Sequence, residues 1–98
     1  MIRVQTQDFD QSHEYRLLTE NTDTDGAIVT FVGKVRNNNL GEHVQGLCLE
    51  HYPQMTEKAL RDIVSQAKTR WELGSITVIH RVGELKIGDQ IVYVGVTS

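Results

Sequence analysis

The sequence predicts an α+β fold, a mixed and largely antiparallel sheet carrying one short and one long helix. Three observations point there. Five short stretches read as strands, two others repeat their apolar residues at helical spacing, and Gly, Asn and Asp clusters separate them. No repeat or low-complexity segment interrupts the series. At 98 residues, 39% hydrophobic and 23% charged, the chain falls in the globular class, as one domain with a modest core.

In chain order, residues 2–6 read as a short strand and Ser12 to Glu20 as a short helix with Tyr15, Leu17 and Leu18 as its apolar contacts. Ala27 to Val35 and Val44 to Tyr52 are expected to form a long hairpin through the Asn-rich turn and Gly41. Leu47 and Leu49 would lie on one face of its second strand, and Val44, Cys48 and Tyr52 on the other. The long helix follows, with Met55, Ala59, Leu60, Ile63, Val64, Ala67 and Trp71 at helical spacing. Pro53 suits its first turn, and Gly74 suits a left-handed position past its end. Ile76 to Val82 and Gln90 to Ser98 are the last strands, with Gly83 and the Gly88-Asp89 pair marking turns. In the final strand Val92, Val94 and Val96 share one face, and Ile91 and Tyr93 the other. Two apolar faces need cover on both sides, so a further helix, a second subunit or self-association is expected.

The stretch Phe31 to Gly41 is the main chemical candidate. Counting by twos from Ile28, Lys34 and Arg36 share a face with Thr30 and Val32, while Gly33 and Val35 lie on the other. Gly33 would let a ligand or a second backbone come close, and the Asn run followed by Leu-Gly suits a turn. Two readings fit this pattern: a solvated hairpin end with ordinary surface cations, or a strand end that holds a small anion.

Other candidates are structural. Cys48 lies between Leu47 and Leu49 with no second cysteine in the chain and reads as an inert thiol. His51 beside Glu50 and His80 beside Arg81 read as hydrogen-bonded structural or rim histidines. No His, Cys and Asp cluster has ligand spacing, so no metal is expected. His13 and Glu14 are expected on a solvated helix face, Gly83 to Gly88 as a hairpin turn rather than a phosphate loop, and Glu57 with Arg61 as an i,i+4 pair. A net charge of −3 argues against nucleic acid as a partner. No apolar run approaches the ~20 residues that span a bilayer. The first residues lack the pattern of a secretory signal, and one cysteine makes no internal disulfide, so the cytoplasm is the expected location.

Four words occur in one order: Thr30 to Asn37 (TFVGKVRN), Leu49 to Leu60 (LEHYPQMTEKAL), Val78 to Leu85 (VIHRVGEL) and Val92 to Ser98 (VYVGVTS). In that order they resemble the catalytic large subunit of molybdopterin synthase, the MoaE family, from about Asp25 to Ser98. The resemblance implies a hammerhead-like α/β fold and a sulfurtransferase of molybdenum cofactor biosynthesis. The implied substrate is cyclic pyranopterin monophosphate. Sulfur would arrive as a thiocarboxylate on the C-terminal Gly-Gly tail of a ubiquitin-like small subunit, and two large subunits would form a dimer with one small subunit at each end. No cofactor and no metal are implied. The family's substrate-contacting word falls on Lys34, Val35 and Arg36, with Arg36 as the phosphate or oxyanion clamp, Lys34 as supporting cation and Val35 as a main-chain contact. Family members continue past the Val-Thr-Ser strand into a His-Arg pair, a helix and a segment with two lysines central to the chemistry. The 98 residues therefore correspond to the N-terminal two thirds of the family domain, and no catalytic residue is assigned among them. The alternative is a catalytically incomplete piece that serves only as a binding or interaction module.

Overall fold

The computed structural model describes residues 1–20, 23–39, 42–43, 46–49 and 53–98, with side chains described outside 38–53. The elements in order are β1 (Ile2–Gln5), α1 (Gln11–Thr19), β2 (Ile28–Lys34), β3 (Asn38–Asn39), β4 (Glu42–His43), β5 (Gly46–Leu49), α2 (Pro53–Arg70), β6 (Ile76–Arg81), β7 (Gly83–Lys86) and β8 (Gln90–Thr97). The main sheet has the order β1-β6-β8-β2. β1 and β6 run parallel, and both other pairs are antiparallel, so the sheet is mixed as the sequence predicts.

Of the expected hairpin between residues 27–35 and 44–52, the antiparallel pairing at the Asn-rich turn is present, with Asn38 opposite His43 and Asn39 opposite Glu42, but among the described residues β2 and β5 do not pair with each other. β2 pairs instead with β8, from Ile28 opposite Thr97 to Lys34 opposite Gln90. β5 pairs with β7, setting Leu47 opposite Leu85 and Cys48 opposite Glu84. Residues 83–86 are thus a strand rather than part of a turn, and the reversal falls at Gly88, whose φ is +90°. Proximity in sequence favours the local hairpin. β8 offers β2 a long cross-strand ladder from Ile28 to Lys34, and that match outweighs proximity. The faces expected for Val44, Leu47, Cys48, Leu49 and Tyr52 lie outside the residues whose side chains are described.

The pleat puts the helices on opposite faces. Tyr93 and Gly95 of β8 meet Leu18 of α1, while Val94 and Val96 line an apolar cavity of about 200 Å³ with Leu60, Val64 and Ala67 of α2. A Cβ on Gly95 would lie 2.6 Å from Leu18 Cδ2, so the absence of a side chain there lets α1 seat. Phe9, Ile79 and Tyr93 form the core with Val32 against them, and the Phe9 and Tyr93 rings meet edge-on at 5.9 Å.

α1 docks differently from its predicted pattern. Asp10 caps it by accepting from the Ser12 and His13 amides. Leu18 and Glu14 are buried, whereas Tyr15 and Leu17 are exposed. Glu14 is not on the solvated face with His13, because its carboxylate turns inward to an ion pair with Arg3 of β1. A buried carboxylate needs such a partner, and one turn later Leu18 follows it down. On α2, Leu60, Val64 and Ala67 face the sheet, but Met55, Ile63 and Trp71 are exposed. Glu57 and Arg61 do pair, at the surface.

Gly74 is also corrected. Its backbone is not left-handed; a Cβ there would fall 2.5 Å from both Asp25 Oδ2 and Thr97 Oγ1. Thr97 is fully buried, donating to Asp25 at 2.6 Å and accepting from the Ser75 amide at 2.8 Å. Space, not φ, requires the glycine. Among the described residues no helix is long and apolar enough to cross a membrane.

The Tyr93 hydroxyl is buried and, among the described residues, has no hydrogen-bond partner. Burial first, then Glu14 and Tyr15, pushes its pKa above the ordinary 10. The fold therefore favours the neutral phenol, and this contribution is complete below the unfolded value and lost as pH rises through the folded one. Tyr93→Phe should leave unfolding free energy at neutral pH unchanged or raised by about 1 kcal/mol, since no bond is lost, and should blunt the decline in stability at alkaline pH. Chemical denaturation at neutral pH and above pH ~10 checks both; marked destabilisation at neutral pH would contradict the unpartnered hydroxyl.

Candidate anion site at the end of strand β2

Lys34, Val35 and Arg36 sit where β2 leaves the sheet. Gly33 faces Val92, but Lys34 faces Gln90, so Ile91 is an extra residue and the strand ends in a β-bulge. Bulges turn the chain and re-aim side chains. Lys34 keeps the face of Thr30 and Val32, whereas Arg36 lies past the ladder, where counting by twos no longer decides direction.

Between the cations, Val35 is anchored from three sides. Its side chain is only 5% exposed, its amide donates to the Asp89 carbonyl at 2.9 Å, and its carbonyl accepts from the Gly88 amide at 2.8 Å. Lys34 and Arg36 themselves are exposed. With its amide and one carbonyl lone pair engaged, Val35 keeps only the second lone pair for a main-chain contact with a ligand. The turn beneath is braced as well: the Asp89 amide donates to the Lys86 carbonyl at 2.9 Å, and the Lys86 amide donates to Asp89 Oδ2 at 2.8 Å.

Gly33 serves the fold rather than a ligand. A Cβ there would lie 2.9 Å from Val92 Cγ1, so the close approach is made by the neighbouring strand.

A polar network backs the bulge. Gln90 donates to Asp8 Oδ1 and to the Phe9 carbonyl, both at 2.8 Å, and accepts from Gln11 at 2.6 Å. The bond from Gln90, followed by that from the Phe9 amide, holds the Asp8 carboxyl below its usual pKa. Arg81 is buried and donates to the Thr6 and Gln90 carbonyls, which makes it a structural cation. His80 places Nδ1 2.9 Å from the Arg81 carbonyl and fits the structural reading. His13 is exposed, and the side chains of Cys48 and His51 lie outside those described. Among the described residues no group of three His, Cys, Asp or Glu could hold a metal ion. A groove of about 600 Å³ between α1 and β2, lined by Gln11, Ser12, Tyr15, Arg16, Thr30 and Tyr93, is separate from the cation pair.

Residues 4–98 match the profile of the family described as MoaE protein. The chain belongs to the MoaE family. This MoaE chain is 62% identical over 97 residues to a protein of Escherichia coli (strain K12) named molybdopterin synthase catalytic subunit, with 99% of the chain and 64% of the relative covered. A protein of the same name from Pasteurella multocida is 60% identical, with the same coverage. The chain thus spans 64% of the length of these relatives. Among solved structures, the molybdopterin cofactor biosynthesis protein E of Burkholderia multivorans superposes with a TM-score of 0.87 at 43% identity, over 100% of this chain and 63% of that one. The molybdopterin synthase of Staphylococcus aureus gives 0.84 at 31% identity, over 98% and 69%.

The Gly88-Asp89 brace is the part of the site that spacing does not reveal. The pair is visible in sequence as a turn, but only the pairing of β2 with β8 brings it under Val35.

Because Val92 is β-branched and stiff, Gly33→Ala should destabilise the fold by about 1 kcal/mol while leaving phosphate affinity within about twofold of wild type. Denaturation and calorimetric titration with inorganic phosphate check this. Intact stability with weakened phosphate binding would instead assign Gly33 to ligand clearance.

Proposed function

We propose that the chain is the substrate-cradling part of a molybdopterin synthase large subunit. In this reading it is one domain, corresponding to the N-terminal two thirds of the full-length protein, and acts in the cytoplasm in molybdenum cofactor biosynthesis. The observation that carries the reading is the 62% identity to the Escherichia coli catalytic subunit. Two exposed cations flanking an anchored Val35 support it chemically.

The proposed substrate is cyclic pyranopterin monophosphate, and the sulfur donor is the C-terminal thiocarboxylate of a ubiquitin-like small subunit. Sulfur transfer of this kind builds negative charge on oxygen, and the substrate carries a phosphate. Both call for fixed cations. Arg36, with a planar fork that can meet two oxygens at once, is the clamp, and Lys34 is the supporting point charge. Val35 sets the angle between them.

Arg36→Ala should weaken phosphate binding by about 1.5–3 kcal/mol, more than Lys34→Ala, with little change in melting temperature. Calorimetry with inorganic phosphate measures the first, and thermal melts the second. In the chain extended by the C-terminal segment of its relatives, mixed with substrate and thiocarboxylated partner, molybdopterin should form, and Arg36→Ala should lower kcat/KM more than Lys34→Ala. The 98 residues alone should bind phosphate and turn over little. Absence of product from the extended chain would overturn the proposal.

Self-association belongs to the same reading. Val29 and Phe31 on the edge strand β2 are 67% and 60% exposed, on the face that carries α2. An uncovered apolar edge of this kind is a surface for a second copy. Light scattering should show a mass that rises with concentration in the micromolar range, and Phe31→Ser should suppress it. A constant monomer mass would refute the assembly.

A further inference from the structure

We infer that Asp89 is a positioning residue for the cation pair, an inference that rests on the anion-site reading of Lys34 and Arg36. Asp89 works from both ends of its residue. Its carboxylate accepts the Lys86 amide at 2.8 Å and closes the turn, and its carbonyl accepts the Val35 amide at 2.9 Å. Val35 returns the connection by accepting the Gly88 amide at 2.8 Å.

The location gives these bonds their consequence. The β2 ladder ends at Lys34, next to the register slip that leaves Ile91 of β8 as an extra residue. From there Val35 ties the backbone down, through its buried side chain and two bonds to the Gly88-Asp89 turn. Lys34 precedes that anchor and Arg36 follows it. If the turn relaxes, the two cations lose their fixed relation, and a site that depends on both acting on one anion loses affinity although neither cation is altered.

Gly88 belongs to the same device. Its φ of +90° is readily adopted only by glycine, and among the described residues no atom beyond its chain neighbours lies within 4 Å of where a Cβ would sit. A side chain at Gly88 would therefore disturb the turn through the backbone alone.

The test uses this chain and inorganic phosphate as the probe. Asp89→Asn keeps a side-chain oxygen able to accept from Lys86; Asp89→Ala does not. By calorimetric titration Asp89→Ala should lower phosphate affinity about fivefold and Asp89→Asn less than about twofold, with Gly88→Ala resembling Asp89→Ala. In an Arg36→Ala background the loss from Asp89→Ala should largely vanish, because there is no longer a clamp to aim. A merely structural role would not show that coupling. Equal losses in both backgrounds, or equal losses from Asn and Ala, would overturn the inference. Amide hydrogen exchange separates this result from failure of the underlying reading. Exchange at Val35 should accelerate in Asp89→Ala but not in Asp89→Asn, whether or not Arg36 binds phosphate, and unchanged Val35 exchange in Asp89→Ala would refute the positioning role directly.

Discussion

Because β8 is hydrogen-bonded on both edges, to β6 and to β2, its pleat must send Tyr93, Gly95 and Thr97 to one face and Val92, Val94 and Val96 to the other. Both helices take their positions from that alternation. α1 can approach because Gly95 has no side chain to meet Leu18, and α2 can lie across the valines because they present a continuous apolar row. The end of the strand is tied in turn: the Ser98 carbonyl accepts the Gly26 and Ala27 amides, each at 2.8 Å, which fixes the entry to β2.

The same strand sets the cation site from its other end. The bulge at Ile91 bends β8 as it enters the sheet, and the turn before it reaches across to Val35. Exposed cations in water interact weakly with anions because solvent screens them and their side chains must be ordered on binding. Anchoring the backbone between Lys34 and Arg36 removes part of that ordering in advance. In the proposed anion site, binding would then draw on geometry as well as charge.

Burial is uneven across the sheet. The α1 face is filled by Phe9, Ile79 and Tyr93, whereas on the α2 face Val29 and Phe31 of β2 stand exposed. A seven-residue edge strand with an apolar face has unpaired backbone groups and unburied side chains at the same place. Further protein surface would satisfy both, which is the ground of the proposed self-association.

Local patterns alone determined the two helices, the approximate spans of β1, β2, β5, β6 and β8, the fit of Pro53 to the first turn of α2, and the two cations at the end of an apolar strand. Each depends on residues within a few positions of one another, where periodicity and turn chemistry act. The four ordered words also carried the family. Pairing was decided by tertiary structure, because β2 and β8 are far apart in sequence and their match is a long-range backbone ladder rather than the work of any adjacent residue. The same long-range choice turned Glu14 inward to Arg3, gave Gly33 to Val92 and Gly74 to the Asp25 and Thr97 pair, and set Asp89 beneath Val35. Space and hydrogen bonding between distant segments made those assignments, and neither is written in local spacing.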